Sequence, residues 1–300
     1  MSDEKVSILL DTDIGSNIDD AVALAYLLKH PRCELLGVTT VSGQPVVRAR
    51  LVSAVCTAFG RSEVPVHCGA AAPLLIDQQQ LTVSQSTVLE HWPHRSDFDE
   101  NTAVDFLRRT IRERPGQITL LSIGPLTNIA LLYALDPEIP LLLKRHVMMA
   151  GLYFGRQPGY GLREWNALVD PHATAIVFAK GPADTRCVGL DVTVPCRIPA
   201  EGFRDHFRDG SLRIIHDMAE TWLAGRSEVI FHDPLAAACV FRPDLLRWTQ
   251  GHVEVELQSV SLQGLTAFSK NIHRKIHQVA AEVDAPAFFK HYFEISTRFA

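Results

Sequence analysis

Asp11-Thr12-Asp13-Ile14-Gly15-Ser16-Asn17-Ile18-Asp19-Asp20 is the stretch on which the reading of this chain turns. An apolar run at residues 6–10 precedes it. A periodic apolar segment at residues 19–29 follows, stopped by Pro31. That pattern is a buried strand, a loop and a helix. Four carboxylates crowded at a strand-to-helix junction repel one another, and such a group is tolerable when a cation sits among them. Hard oxygen ligands favour Ca²⁺ or Mg²⁺. Gly15 lets the backbone turn tightly toward that cation. Helix capping and a place in the first turn account for Asp19 and Asp20. They do not account for Asp11 and Asp13 at the strand end.

Outward from this loop, short apolar runs alternate with longer periodic segments. Strands are expected at residues 35–41, 64–67, 118–122, 146–150 and 186–191, and helices at 46–59, 102–113, 126–135 and 171–180. This alternation predicts an α/β fold, a mostly parallel central sheet flanked by helices, of the Rossmann-like open kind. After about residue 199 the rhythm changes to consecutive helices, two strand-like runs at 253–257 and 276–283, and a final helix. No repeat, low-complexity block or linker divides the chain, so residues 1–300 read as one domain. Open sheets of this kind bind ligands outside the carboxyl ends of their strands, which is where the acidic loop falls.

The hydrophobic share of 47% and charged share of 21% are those of a soluble globular protein. The net charge of -5 argues against a nucleic-acid partner. The local run Arg108, Arg109, Arg112, Arg114 is broken by Glu113 and reads as the wet side of a helix. Six scattered cysteines without a CxxC pair predict reduced, buried thiols and a cytoplasmic protein. The polar start, residues 1–5, and the short apolar run behind it do not read as a signal peptide, and no window reaches the length of a membrane span.

An apolar strand followed by Asp-x-Asp also opens the haloacid-dehalogenase-like phosphatases. That reading requires a Thr or Val soon after the second Asp, and Ile14-Gly15 stands there. It also requires a later Lys and a second acidic pair; Lys144 and Lys180 lack one. The loop instead resembles the signature of the inosine–uridine-preferring nucleoside hydrolase family, whose usual form is DxDPGxDDA before an apolar helix. Further segments follow in the family's order: Val38-Thr39-Thr40-Val41-Ser42-Gly43, Gly69-Ala70-Ala71-Ala72-Pro73-Leu74, Ile123-Gly124-Pro125-Leu126-Thr127-Asn128, Met149-Ala150-Gly151, Glu164-Trp165-Asn166 with Asp170-Pro171, Gly189-Leu190-Asp191-Val192-Thr193, and His232-Asp233-Pro234-Leu235.

The resemblance implies hydrolysis of the N-glycosidic bond of ribonucleosides and one Ca²⁺ at the bottom of the pocket. Its implied ligands are Asp13, Asp20, Asp233 and the backbone carbonyl of Thr127. It makes Asp13 the general base on a calcium-activated water and His232 the acid or hydrogen-bond donor to the departing base. It gives Glu164 and Asn166 the ribose, with Met149 nearby and Trp165 between them, and it implies a homodimer or homotetramer.

Three departures bear on substrate contacts. Asp13 and Asp19 stand six residues apart, against four in the usual form, and Ile14 replaces Pro. Anchored on the helix start, Asp19 holds ribose; anchored on the Gly, Asn17 does. Gln44 stands where the family has Asn. The Gly-Asn ahead of Glu-x-Asn is missing, with Gln157-Pro158-Gly159-Tyr160 in that region. These departures keep open a ribose- or nucleoside-binding protein without efficient turnover. His91 and His94 read as loop residues, and His273 and His277 as unsuited to a metal because Arg274 and Lys275 lie between them. Trp222 reads as helix packing.

Overall fold

The structure, a computed structural model, describes residues 4–157, 159–271 and 273–297. Residues 1–3 of the polar start and Pro158 lie outside the described residues. The strands are β1 (Val6–Thr12), β2 (Cys33–Thr40), β3 (Val66–Cys68), β4 (Ile118–Ser122), β5 (Arg145–Met149), β6 (Thr185–Val188), β7 (Arg197–Pro199), β8 (Glu228–Ile230), β9 (Leu246–Val255), β10 (Thr266–Ser269) and β11 (His277–Val283). Nine form one sheet in the order β10-β9-β11-β6-β5-β4-β1-β2-β3. The pairs from β11–β6 through β2–β3 are parallel, while β9 pairs antiparallel with both β10 and β11. The parallel α/β architecture is as expected.

Why β1 is an unbroken apolar run follows from its place. It is paired on both edges, with β2 and β4. Ile8 and Leu10 pack into the core on one face and Leu9 into the core on the other. A strand buried on both faces has no polar side to alternate with. Helices Asp19–Lys29, Pro45–Ala58 and His232–Phe241 cover the first face, and Ala103–Glu113, Thr127–Leu135 and Pro171–Lys180 the second.

The C-terminal part differs in detail from the sequence expectation. β9 starts at Leu246, well before the apolar run at 253. Its first half carries Arg247, Gln250 and Gly251, which hide the strand from an apolar count. β10 is four residues long, and β7 and β8 are three-residue strands that pair only with each other. The arginine helix behaves as expected: Arg108 and Arg112 reach out to Asp136 at 2.8 and 2.7 Å. All six cysteines are buried and free. Among the described residues no helix is long and apolar enough to cross a membrane.

Candidate active site

β1 ends at Thr12, so Asp13 emerges just past its carboxyl end. Asp11, still within β1, is locked instead: its Oδ1 accepts from Thr39 Oγ1 at 2.5 Å and Asn128 Nδ2 at 2.7 Å. Burial pushes the Asp11 carboxyl up to about 7. The other three acids of the loop, Asp13, Asp19 and Asp20, line a cavity of about 390 Å³ together with Asp233, Met149, Glu164 and Asn166.

Asp19 and Asp20 occupy the first turn of helix Asp19–Lys29, and Asp233 the first turn of helix His232–Phe241. The two helices pack against each other. Their N-termini carry unpaired N–H groups and partial positive charge, which favour carboxylates there. The Asp233 backbone N–H donates to Asp19 Oδ2 at 3.3 Å, and Thr12 Oγ1 donates to Asp20 Oδ1 at 2.5 Å. Asp19, Asp20 and Asp233 each place a carboxylate oxygen within 4.8 Å of the others. Asp19 Oδ1 is buried with no hydrogen-bond partner. Burial raises the pKa of all three groups, and for Asp20 and Asp233 the neighbouring acids raise it further. Three buried acids with an orphaned oxygen are the donor set of a hard divalent cation.

Asp19, not Asp13, completes the close trio; Asp13 faces the same cavity from the loop. Thr127 opens helix Thr127–Leu135, does not line the cavity, and spends its hydroxyl on Asp170 at 2.7 Å.

The wall beside the acids comes from β5 and the turn after it. Glu164 caps helix Trp165–Val169, accepting from the Asn166, Ala167 and Gly151 N–H groups at 2.7, 3.0 and 3.0 Å. Burial pushes its carboxyl up to about 7 against those three donors. Asn166 Nδ2 donates to the Ile123 and Met149 carbonyls at 2.9 and 3.0 Å. Both amide hydrogens are thereby consumed, and what Asn166 can offer a ligand is its oxygen. Trp165, 46% exposed, stands at the rim, its indole N–H donating to Gln80 Oε1 at 3.3 Å.

The opposite end is formed by His232, Tyr160, Trp222, Arg226 and Asn17, which also line an adjoining hollow. His232 is buried, with Nδ1 2.7 Å from Thr193 Oγ1 and Nε2 3.3 Å from Tyr160 Oη. Burial, with the Arg197 charge behind it, pushes the imidazole down to about 4, so the ring is neutral at pH 7. Trp222 does pack on the core, as expected, but it also faces the cavity, with the Arg226 guanidinium 4.5 Å from its ring centroid. Tyr160, Arg226, Leu190 and Gln80 are cavity residues that sequence reasoning missed. Tyr160, Arg226 and Gln80 carry no local pattern beyond polar or aromatic residues in loops, and Leu190 is an apolar residue inside the segment 189–193, which by itself does not say that its side chain faces a cavity.

Gln44 is not brought to the cavity. Its Nε2 donates to the Leu81 carbonyl at 2.9 Å. Its extra methylene carries the amide past the site and onto the segment that holds the acidic loop from outside. That segment also accepts Ser16 Oγ on the Thr82 carbonyl at 3.1 Å, while the Gln85 N–H donates to the Gly15 carbonyl at 3.0 Å. The side that Gln44 was expected to supply is occupied by Gln80, which lines the cavity with Asp13. Asn17 and Asp19 both reach the cavity, Asn17 toward the aromatic end and Asp19 in the acidic trio.

A mostly parallel sheet with an acid-floored cavity at its strand ends defines an α/β protein with a candidate metal-binding site, and comparison with known proteins narrows it. The profile of the inosine-uridine preferring nucleoside hydrolases matches residues 8–290. Uridine nucleosidase 1 of Arabidopsis thaliana is 30% identical over 285 residues, covering 89% of this chain and 83% of that protein. The non-specific ribonucleoside hydrolase RihC of Salmonella newport is 34% identical over 270 residues, covering 86% of each. A purine-preferring ribonucleoside hydrolase from Gardnerella vaginalis superposes with a TM-score of 0.83 at 26% identity, over 97% of this chain and 98% of that one. A plant nucleoside hydrolase at 23% identity shares the fold, with a TM-score of 0.84. The chain belongs to the inosine-uridine preferring nucleoside hydrolase family. It is accordingly an enzyme, an N-glycosidase of the ribonucleoside hydrolase class.

Proposed function

We propose that this cavity cleaves the C1′–N bond of a ribonucleoside with water as nucleophile, Asp13 as general base and Ca²⁺ as cofactor. The observation that carries the reading is the meeting of Asp13, Asp19, Asp20 and Asp233 with Glu164 and Asn166 around one cavity. Asp19, Asp20 and Asp233 would hold the cation, with Asp13 facing it. When bound, Ca²⁺ offsets the carboxylate repulsion and acidifies a water molecule.

Asp13 takes the proton as the water oxygen bonds to C1′, and the C1′–N electron pair leaves with the base. Positive charge grows on the sugar as that bond breaks, and the Asn166 amide oxygen and the surrounding carboxylates stabilise it. Glu164 and Asn166, with Asp19 or Asn17, orient the ribose hydroxyls; Met149 packs beside them and Trp165 shields the rim. His232, held neutral between Thr193 and Tyr160, supports the departing base as a hydrogen-bond donor, directly or through Tyr160. A positioned acid or base is worth ~10²–10⁴ in rate.

The buried, unpaired cysteines support a cytoplasmic setting, and a homodimer or homotetramer is the assembly we assign. Light scattering behind size exclusion reads the assembly directly. The decisive assay for the activity is reducing-sugar release from inosine, uridine and cytidine, with and without chelator. Sugar release that stops on chelation supports the proposal. A nucleoside-induced melting shift with no sugar released refutes it.

A further inference from the structure

The acidic loop is two residues longer than the family's usual form and lacks its proline, so Ile14 has no ring to fix φ. Something else must hold Asp13 in place. Beneath the loop lies Arg48, in the first turn of helix Pro45–Ala58, with no solvent exposure. A fully buried guanidinium persists only where it is hydrogen-bonded and its charge is compensated.

Arg48 meets both conditions at this loop. Its Nε donates to the Ser42 carbonyl at 2.7 Å, on the turn after β2. Its Nη1 donates to the Ile14 carbonyl at 2.9 Å and the Ser16 hydroxyl at 3.2 Å, and also to the Asp13 carbonyl. One rigid planar group therefore ties Asp13, Ile14 and Ser16 to the turn after β2. Asp13 and Asp20 supply the compensating negative charge. Arg48 Nη2 is buried without a hydrogen-bond partner. The clamp closes from the other side at Gly15, which has φ +112°; a Cβ there would stand 2.5 Å from both Leu51 and Val83 side chains. Ser42, with φ 72°, turns its carbonyl to Arg48 at the cost of a left-handed backbone.

We propose that Arg48 is the positioning residue of Asp13, a buried guanidinium whose hydrogen bonds hold the loop that carries it. The inference rests on the reading of Asp13 as general base. Within the site, the hydrogen bonds of Arg48 fall on Asp13, Ile14 and Ser16 and not on the acidic trio, whose members sit on two helix N-termini held by helix packing.

The test uses Arg48→Lys, which keeps the charge but offers a point donor that cannot span the same acceptors, and Arg48→Met, which removes the charge. Hydrogen exchange of peptides covering residues 11–20 is expected to speed up by roughly tenfold or more in Arg48→Lys, with the rest of the chain unchanged. Misplacing a catalytic group by about 1 Å costs about 100-fold, so kcat on inosine or uridine should fall about 100-fold. KM and calorimetric Ca²⁺ affinity should each stay within roughly threefold. Unchanged exchange in the loop, a kcat within threefold of the parent, or a loss carried by Ca²⁺ affinity overturns the inference. So does activity loss that merely follows the unfolded fraction read by circular dichroism, or failure of both variants to fold, because Arg48 is then a folding residue only. If the parent enzyme releases no sugar from any nucleoside, the role of Asp13 falls, and the exchange experiment still decides whether Arg48 clamps the loop.

Discussion

Replacing Asp233 with Asn should make the cation-free protein more stable while abolishing its response to calcium. The magnitude follows from the trio. Two full charges within 4.8 Å of each other repel by at least about 3.5 kcal/mol at an effective dielectric of about 20. Asp233 takes part in two such pairs, so ionised neighbours would cost roughly 7 kcal/mol, a large part of the roughly 5–15 kcal/mol that holds a domain together. The cation-free protein avoids most of that by retaining protons on these buried groups, in line with their raised pKa values. The residual penalty relieved by Asn is therefore smaller, on the order of 1–3 kcal/mol. At roughly 2–3 °C per kcal/mol for a chain of this size, the midpoint in chelator should rise by about 2–9 °C. In the parent, Ca²⁺ at 100 times its dissociation constant adds about 2.7 kcal/mol; in Asp233→Asn that increment should vanish. Differential scanning fluorimetry across a calcium series, with a chelator reference, reads both effects. A variant that melts below the parent in chelator, or that keeps the parent's calcium response, would refute the electrostatic reasoning.

Other outcomes follow from the same geometry. Asp13→Asn should remain folded and lower kcat by ~10²–10⁴ with KM little changed, read by reducing-sugar release; activity within tenfold of the parent would remove Asp13 from the mechanism. His232→Gln should slow release of natural bases by about 10–100-fold yet scarcely affect nitrophenyl riboside, whose leaving group requires no help. Equal losses on both substrates would show that His232 acts on the sugar end. His146, buried between Ser122 and Tyr133 and pushed down to about 3 by desolvation, should set part of the acid limit of stability. Its folded pKa lies below the unfolded value of about 6.5, so its contribution is whole above pH 6.5 and is lost as pH falls toward 3. Denaturant midpoints of His146→Gln should accordingly fall less steeply over that window, and parallel slopes would count against the assignment.

The parallel half of the fold was legible because β1, β4 and their neighbours are buried on both faces, which leaves continuous apolar runs that read directly. β9 was half hidden because a strand paired antiparallel near the sheet's end tolerates Arg247 and Gln250, and periodicity cannot distinguish it from loop. At the site, the acids were visible as a cluster, yet the sequence could not say that Asp11 turns away into Thr39 and Asn128 while Asp19 turns in. That division depends on which peptide planes face the cavity after a two-residue insertion. Gln44 and Gln80 make the same point from the other side. Both are glutamines near the loop, and only the path of the intervening chain decides that the first props the wall and the second faces the ligand. Residues such as Arg226 and Tyr160, carried on loops, leave no periodic trace at all.

Asp19 and Asp233 meet across a separation of 214 residues. A ribosome must therefore release nearly the whole polypeptide before the trio can assemble, and fragments ending short of that point have no place to keep the ion. Uptake of a metal ion should then be among the last events of maturation. A divalent ion held by Asp19, Asp20 and Asp233 would tie the two ends of that long loop, so that losing it would loosen distant segments together rather than one at a time.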